Sequence, residues 1–146
     1  MKIQRTATAV WEGSGKEGAG RLDAPGGVLS GTPYSAGMRF EGQPGTNPEE
    51  LIAAAHAGCF SMALSFGLSG AGHPPEKLST AADLTMVKEE AGWTISTIKL
   101  TVEGRVPGID AAAFQQHAEK AKAGCPVSRA LAGVDIQLEA KLAEAG

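Results

Sequence analysis

One segment limits what this chain can fold into more than any other. From Pro48 to Leu68 the pattern implies a helix with apolar or small residues on every side: Leu51, Ile52, Ala53, Ala54, Ala55, Ala57, Gly58, Phe60, Met62, Ala63, Leu64 and Phe66. A surface helix keeps a polar face over about half its circumference, and this one has none. Its length and apolarity are also those of a membrane span. However, His56, Ser61, Ser65 and the many Ala and Gly residues dilute the hydropathy, so a buried core helix is expected instead. A single modest sheet covers one face only. A second copy of the chain supplies the rest more simply than one further helix and loops, so a homodimer is expected, with this helix near the interface.

The start of the helix is well marked. Asn47 suits the N-cap, Pro48 the first helical position and Glu50 the capping-box position. The run Gly70-Ala71-Gly72-His73-Pro74-Pro75 ends it. Upstream, residues 2–11 read as a strand, residues 12–16 as a turn, residues 20–24 as a short strand and residues 34–41 as a third extended stretch. Downstream, strands are expected at 78–88 and 93–105, joined through Glu89-Glu90-Ala91-Gly92. Their apolar positions alternate only in part, through Ile95, Ile98, Leu100 and Val102. Asp110 caps a helix of about 111–123, and Gly124-Cys125-Pro126 opens a short helix to Leu131. The last strand has period 2: Val134, Ile136, Leu138 and Ala140 face one way, Asp135, Gln137, Glu139 and Lys141 the other. Strands, helix, strands, helices, strand is an α+β order with a largely antiparallel sheet.

No repeat or linker divides the 146 residues, so one domain, 1–146, is expected. The formal net charge of −3 and the lack of a basic cluster argue against nucleic acid or an anionic membrane as partner. Met1-Lys2-Ile3-Gln4-Arg5-Thr6 has no apolar stretch behind its lysine, unlike a secretory leader. Cytoplasmic residence is the resulting expectation, and there two cysteines do not form a static disulfide.

Those cysteines, Cys59 and Cys125, are the only two in the chain, and no C-x-x-C is present. Cys59 lies mid-helix among apolar residues, where a cysteine is usually a small hydrophobe and burial disfavours its thiolate. Cys125 precedes Pro126-Val127-Ser128-Arg129 at a helix start. A thiolate there faces free N–H groups and the positive end of the helix dipole, so local electrostatics alone favour Cys125 as the nucleophile. His56, three residues before Cys59, has the spacing of a Cys–His dyad, although a histidine in an apolar run is more often packed or hydrogen-bonded. With His73 and His117 it gives no metal-ligand spacing. No G-x-x-x-x-G-K-[ST] loop occurs, no G-x-G-x-x-G follows a strand and opens a helix, and there is no G-x-S-x-G elbow.

Four stretches resemble the OsmC (osmotically inducible protein C) subgroup of the OsmC/Ohr family: Gly45-Thr46-Asn47-Pro48-Glu49-Glu50-Leu51; Ala55-His56-Ala57-Gly58-Cys59-Phe60-Ser61-Met62-Ala63-Leu64; Val106-Pro107-Gly108-Ile109-Asp110; and Ala121-Lys122-Ala123-Gly124-Cys125-Pro126-Val127-Ser128. The arginine in Met38-Arg39-Phe40-Glu41-Gly42, just before the helix, matches the OsmC branch rather than the organic hydroperoxide resistance branch. The resemblance implies a homodimeric peroxidase with an intertwined α+β fold, its sheets wrapped around two central helices. It implies reduction of organic hydroperoxides, and less uniformly of hydrogen peroxide, in oxidative and osmotic stress, with no metal, haem or flavin. It also implies Cys59 as the peroxide-attacking thiol, Cys125 as the resolving thiol, and Arg39 and Glu49 as their charged companions, with an external dithiol such as a lipoyl group as reductant.

Under that reading Arg39 would hold Cys59 as thiolate despite burial, and Glu49 would orient the guanidinium through a bidentate pair. Glu49 and Cys59 lie ten residues apart on one helix, about 15 Å along its axis, so a site shared between two antiparallel helices crossing near Ala54 is expected. Two other classes compete: a dimeric module binding a lipid-like ligand with structural cysteines, and a redox sensor signalling through the same disulfide.

Overall fold

A computed structural model describes residues 1–144. Two compact units divide it, residues 1–51 and residues 52 onward.

The first unit holds a three-stranded antiparallel sheet, β1 (Thr8–Glu12), β2 (Ala19–Asp23) and β3 (Thr32–Tyr34), in that order. The Trp11 and Tyr34 rings meet above it at 5.3 Å between centroids. Gly20 lies beneath both rings, and a Cβ there would collide with each of them. The strand expected over residues 2–11 is shorter than read. Pairing stops at Thr8↔Asp23, where β2 gives way to Ala24-Pro25-Gly26, and residues 2–7 pair with no strand among the described residues.

The extended stretch expected over 34–41 is overturned: residues 36–40 form a helix, α1 (Ala36–Phe40). Ser35 Oγ accepts the Met38 N–H at 3.2 Å, which is an N-cap. Gly42 follows the C-cap residue at φ +70°, the left-handed conformation that ends helices.

The central helix, α2, spans Pro48–Gly70. Asn47 caps it, its Oδ1 accepting the Glu50 N–H at 2.8 Å. By length and composition alone it could cross a membrane. The side chains it buries are His56, Phe60, Leu64 and Leu68, one stripe at four-residue spacing. Met62 and Phe66 stay 62% and 72% exposed, and Ala54, Ala55 and Gly58 are exposed as well. The chain therefore covers one face of the helix and leaves an apolar face open.

The second unit packs that stripe against a sheet of β4 (Lys77–Glu89), β5 (Gly92–Arg105) and β6 (Asp135–Leu142). β4 and β5 form a hairpin. β6 runs parallel to β5 after a crossover through α3 (Ala111–Gly124) and α4 (Pro126–Ala130). Among the described residues, three of the four strand pairings are thus antiparallel and one is parallel. The broken alternation in β5 is a bulge: the register passes from Thr85↔Thr97 to Met86↔Ile95 and leaves Ser96 unpaired. That extra residue moves Ile98, Leu100 and Val102 onto the inward phase, where all three are fully buried. β6 alternates throughout, with Asp135, Gln137, Glu139 and Lys141 exposed.

Asp110 caps α3, accepting the Ala113 N–H at 2.8 Å. α3 presses Phe114 onto β5 at Gly104, where a Cβ would lie 2.6 Å from the ring. Phe114 is buried and has little room to retreat. Gly104→Ala is expected to destabilise the protein by about 1–3 kcal/mol, the usual cost of overpacking. A urea midpoint unchanged from wild type would contradict this contact.

Candidate active site

The second unit brings the two cysteines together. Cys59 reaches from α2 toward the α3–α4 junction, where Cys125 is at once the C-cap residue of α3 and the N-cap residue of α4. The Cys125 thiol donates to the Cys59 sulfur at 2.9 Å. Both are free thiols, Cys125 fully buried and Cys59 half-buried. A covalent disulfide needs about 2.05 Å between sulfurs, so the remaining approach is under an ångström.

The start of α4 does not act as the sequence suggested. Cys125 makes no side-chain cap bond there. Pro126 holds the first helical position and has no N–H, so the next N–H, that of Val127, is the first available, and it donates to the Cys59 sulfur. The short helix therefore serves the other thiol. Even so, burial pushes the Cys59 thiol up from its ordinary range, and the neighbouring Cys125 adds to the shift. The Val127 N–H, which favours the thiolate, only partly opposes them.

His56 is not paired with Cys59. Its Nε2 lies 2.7 Å from Ser128 Oγ, with both residues buried. Nδ1 has no partner among the described residues. A buried N–H without a partner costs more than a buried lone pair, so the favoured tautomer carries its proton on Nε2 and donates it to Ser128. Burial lowers the His56 pKa and keeps the ring neutral. Sequence reasoning did not single out Ser128 or Val127. The helix-start reading of Cys125-Pro126 was the signal available, since it implied that the next N–H groups needed a partner.

In the first unit Arg39 and Glu49 form a multiply hydrogen-bonded pair. Arg39 Nε donates to the two carboxylate oxygens at 3.0 and 3.2 Å, and Nη2 donates to Oε1 at 2.7 Å. This is the side-on geometry in which arginine is stronger than lysine. The guanidinium carbon also lies 5.1 Å from the Phe40 ring centroid. Arg39 stays 39% exposed, Glu49 only 13%. The pair flanks a cleft of about 380 Å³ lined by Trp11, Tyr34, Ser35, Phe40 and Pro48. Among the described residues no three His, Cys, Asp or Glu side chains group as metal ligands.

The sequence profile of the OsmC-like protein family matches residues 40–139. The chain belongs to the OsmC-like family. It is 50% identical over 142 residues to Peroxiredoxin OsmC of Escherichia coli strain K12, covering 95% of this chain and 99% of that one. The crystal structure of the organic hydroperoxide resistance protein OhrB of Bacillus subtilis superimposes with a TM-score of 0.73 at 30% identity, over 93% of this chain and 98% of that one. An OsmC-like protein from Mycoplasma pneumoniae reaches 0.78 over 99% of this chain and all of that one, at 13% identity, a likeness of fold alone. The α+β class read from the sequence is the class of this OsmC-like fold.

One consequence of the site can be measured directly. The folded protein holds His56 neutral, while an unfolded histidine titrates near pKa ~6.5. Its contribution to stability is complete above that value and is lost as pH falls below it, because the unfolded chain then binds the extra proton. A ¹⁵N-resolved NMR titration should place the His56 midpoint below the ordinary histidine range, with the proton on Nε2. A midpoint at or above that range would refute the assignment.

Proposed function

We propose that this chain is a thiol-dependent peroxidase that reduces organic hydroperoxides in defence against oxidative stress, with Cys59 as the attacking thiol and Cys125 as the resolving thiol. The observation that carries the reading is the pair itself: two free thiols 2.9 Å apart within one chain, one of them receiving a helix-start N–H. The peroxiredoxin and hydroperoxide-resistance names of the relatives support it.

The Cys59 thiolate attacks the distal peroxide oxygen. A sulfur–oxygen bond forms as the oxygen–oxygen bond breaks, the alcohol leaves with a proton, and the sulfur is oxidised by two electrons to a sulfenic acid. The Cys125 sulfur then attacks that sulfur, water departs, and a Cys59–Cys125 disulfide forms within the subunit. An external dithiol, such as a lipoyl group, returns the two electrons by exchange. Thiol chemistry accounts for every step without a metal, haem or flavin.

The remaining difficulty is the upward push on the Cys59 thiol. Arg39 supplies a permanent cation and Glu49 fixes its plane. Along one helix Glu49 and Cys59 stand about 15 Å apart. We place the Arg39–Glu49 pair of one subunit against the Cys59 of another, in a homodimer whose α2 helices cross at Ala54, Ala55 and Gly58. Small residues permit that approach, and the exposed apolar side chains Met62 and Phe66 require cover. The enzyme is then soluble and cytoplasmic, with its apolar helix satisfied by a second subunit rather than by lipid.

Cys59→Ser should abolish peroxide consumption supported by dihydrolipoamide, and Cys125→Ser should leave one equivalent consumed per chain. Unchanged turnover in Cys59→Ser would sink the mechanism. The shared site has its own test. Mixing Glu49→Ala and Cys59→Ser dimers should recover about a quarter of wild-type activity, since half the dimers are mixed and each carries one intact site of two. No recovery above either parent would confine the site to one subunit.

A further inference from the structure

The segment that carries Cys125 is anchored in the core by Cys125 itself and by the partly buried Val127 and Leu131, and by no large, fully buried side chain. α4 is five residues long, well below the length at which a helix is stable alone. Pro126, Arg129 and Ala130 are exposed, and its one buried side chain, Ser128, is polar. That hydroxyl meets the buried His56 of α2 at 2.7 Å. Three polar links therefore join α2 to the start of α4: the thiol pair, the Val127 N–H on the Cys59 sulfur, and His56 on Ser128.

The chemistry disturbs two of the three. Once Cys59 carries an oxygen, its sulfur no longer accepts the Cys125 thiol and the Val127 N–H in the same way. The His56–Ser128 bond uses no reacting atom and persists through the sulfenic acid interval. In that interval Cys125 must close on Cys59 before a second peroxide does. His56 and Cys59 are three residues apart on one helical face, and Ser128 lies three residues after Cys125. The bond thus ties the backbones of both thiols at matching offsets.

We propose that His56 and Ser128 are positioning residues for the resolving step: their buried hydrogen bond holds α4 in register on α2, so that Cys125 captures the Cys59 sulfenic acid instead of losing it to overoxidation. This rests on the peroxidase reading above. The neutral imidazole fits the role, because it donates to the hydroxyl without bringing a buried charge. The fate of Cys59 under excess peroxide follows: a tethered Cys125 gives disulfide, and a released one leaves the sulfenic acid open to a second oxidation to sulfinic acid.

The test separates the two chemical steps in the full-length protein. Reduced wild type, Ser128→Ala and Ser128→Thr are each mixed with one equivalent of cumene hydroperoxide, with and without dimedone. Peroxide loss and the Cys59 products are followed by quenched mass spectrometry. Ser128→Ala should consume peroxide within about threefold of wild type but form the disulfide about tenfold more slowly, the worth of one buried hydrogen bond. The dimedone adduct on Cys59 should rise accordingly. Ser128→Thr, which keeps the hydroxyl, should return the partition toward wild type. Equal slowing of both steps, an unchanged partition in Ser128→Ala, or no rescue by a folded Ser128→Thr would overturn the proposal. If Ser128→Ala loses its near-UV circular dichroism, His56→Gln takes its place under the same criteria. A wild type that consumes no peroxide would refute the peroxidase reading itself, whereas normal wild-type turnover with an unaltered partition in the variants refutes only the positioning role.

Discussion

The structure of residues 52–144 depends on one buried stripe. His56, Phe60, Leu64 and Leu68 recur every fourth residue along α2 and pack with Ile98, Leu100 and Val102 of β5 and with Phe114, Ala118 and Ala121 of α3 in one core. Each fully buried Leu or Phe contributes roughly 1.5–3 kcal/mol of hydrophobic stabilisation, so this contact outweighs any single polar bond nearby. It also fixes the rotation of the helix. Cys59 precedes Phe60 by one residue and is swung to the edge of the stripe, half-buried. His56, in the stripe itself, is carried fully inside. The same packing that makes a core thus sets one thiol at a boundary and one imidazole in the interior.

The parallel β5–β6 pairing brings the second thiol to the first. An antiparallel return could have used a tight turn, whereas a parallel one needs a crossover. Here the crossover is α3 followed by α4, and Cys125 sits at the break between them. Burial of Phe114, Ala118 and Ala121 holds α3 on the sheet, which leads the chain to the flank of α2. The thiol pair is therefore a product of topology, since nothing in the local sequence around either cysteine points to the other.

That difference explains what could be read in advance. Local signals were legible: Asn47 and Asp110 do cap their helices, β6 does alternate, and α2 begins where Pro48 indicates. The failures were competitions that local pattern could not decide. α1 is too short to show a helical period, and its only signs were Ser35 before it and Gly42 after it. The strand at residues 2–7 lacked a partner, which is a non-local fact. A bidentate Arg39–Glu49 pair was expected once the resemblance had named the two residues, and they do pair in the structure. The Val127 N–H on Cys59 and the His56–Ser128 bond were not legible, because each joins residues far apart in the chain.

The thiol pair also limits its own chemistry. Two thiols 2.9 Å apart share one hydrogen bond, so one sulfur accepts while the other donates. Burial pushes the Cys59 thiol up from its ordinary range, and the proposed reaction consumes one thiolate at a time, at Cys59. The Val127 N–H breaks the symmetry toward Cys59, because it reaches that sulfur and Cys125 has no equivalent cap bond. A five-residue helix that would be negligible as a dipole matters here through one directed donor, and Pro126 ensures that no earlier N–H competes with it.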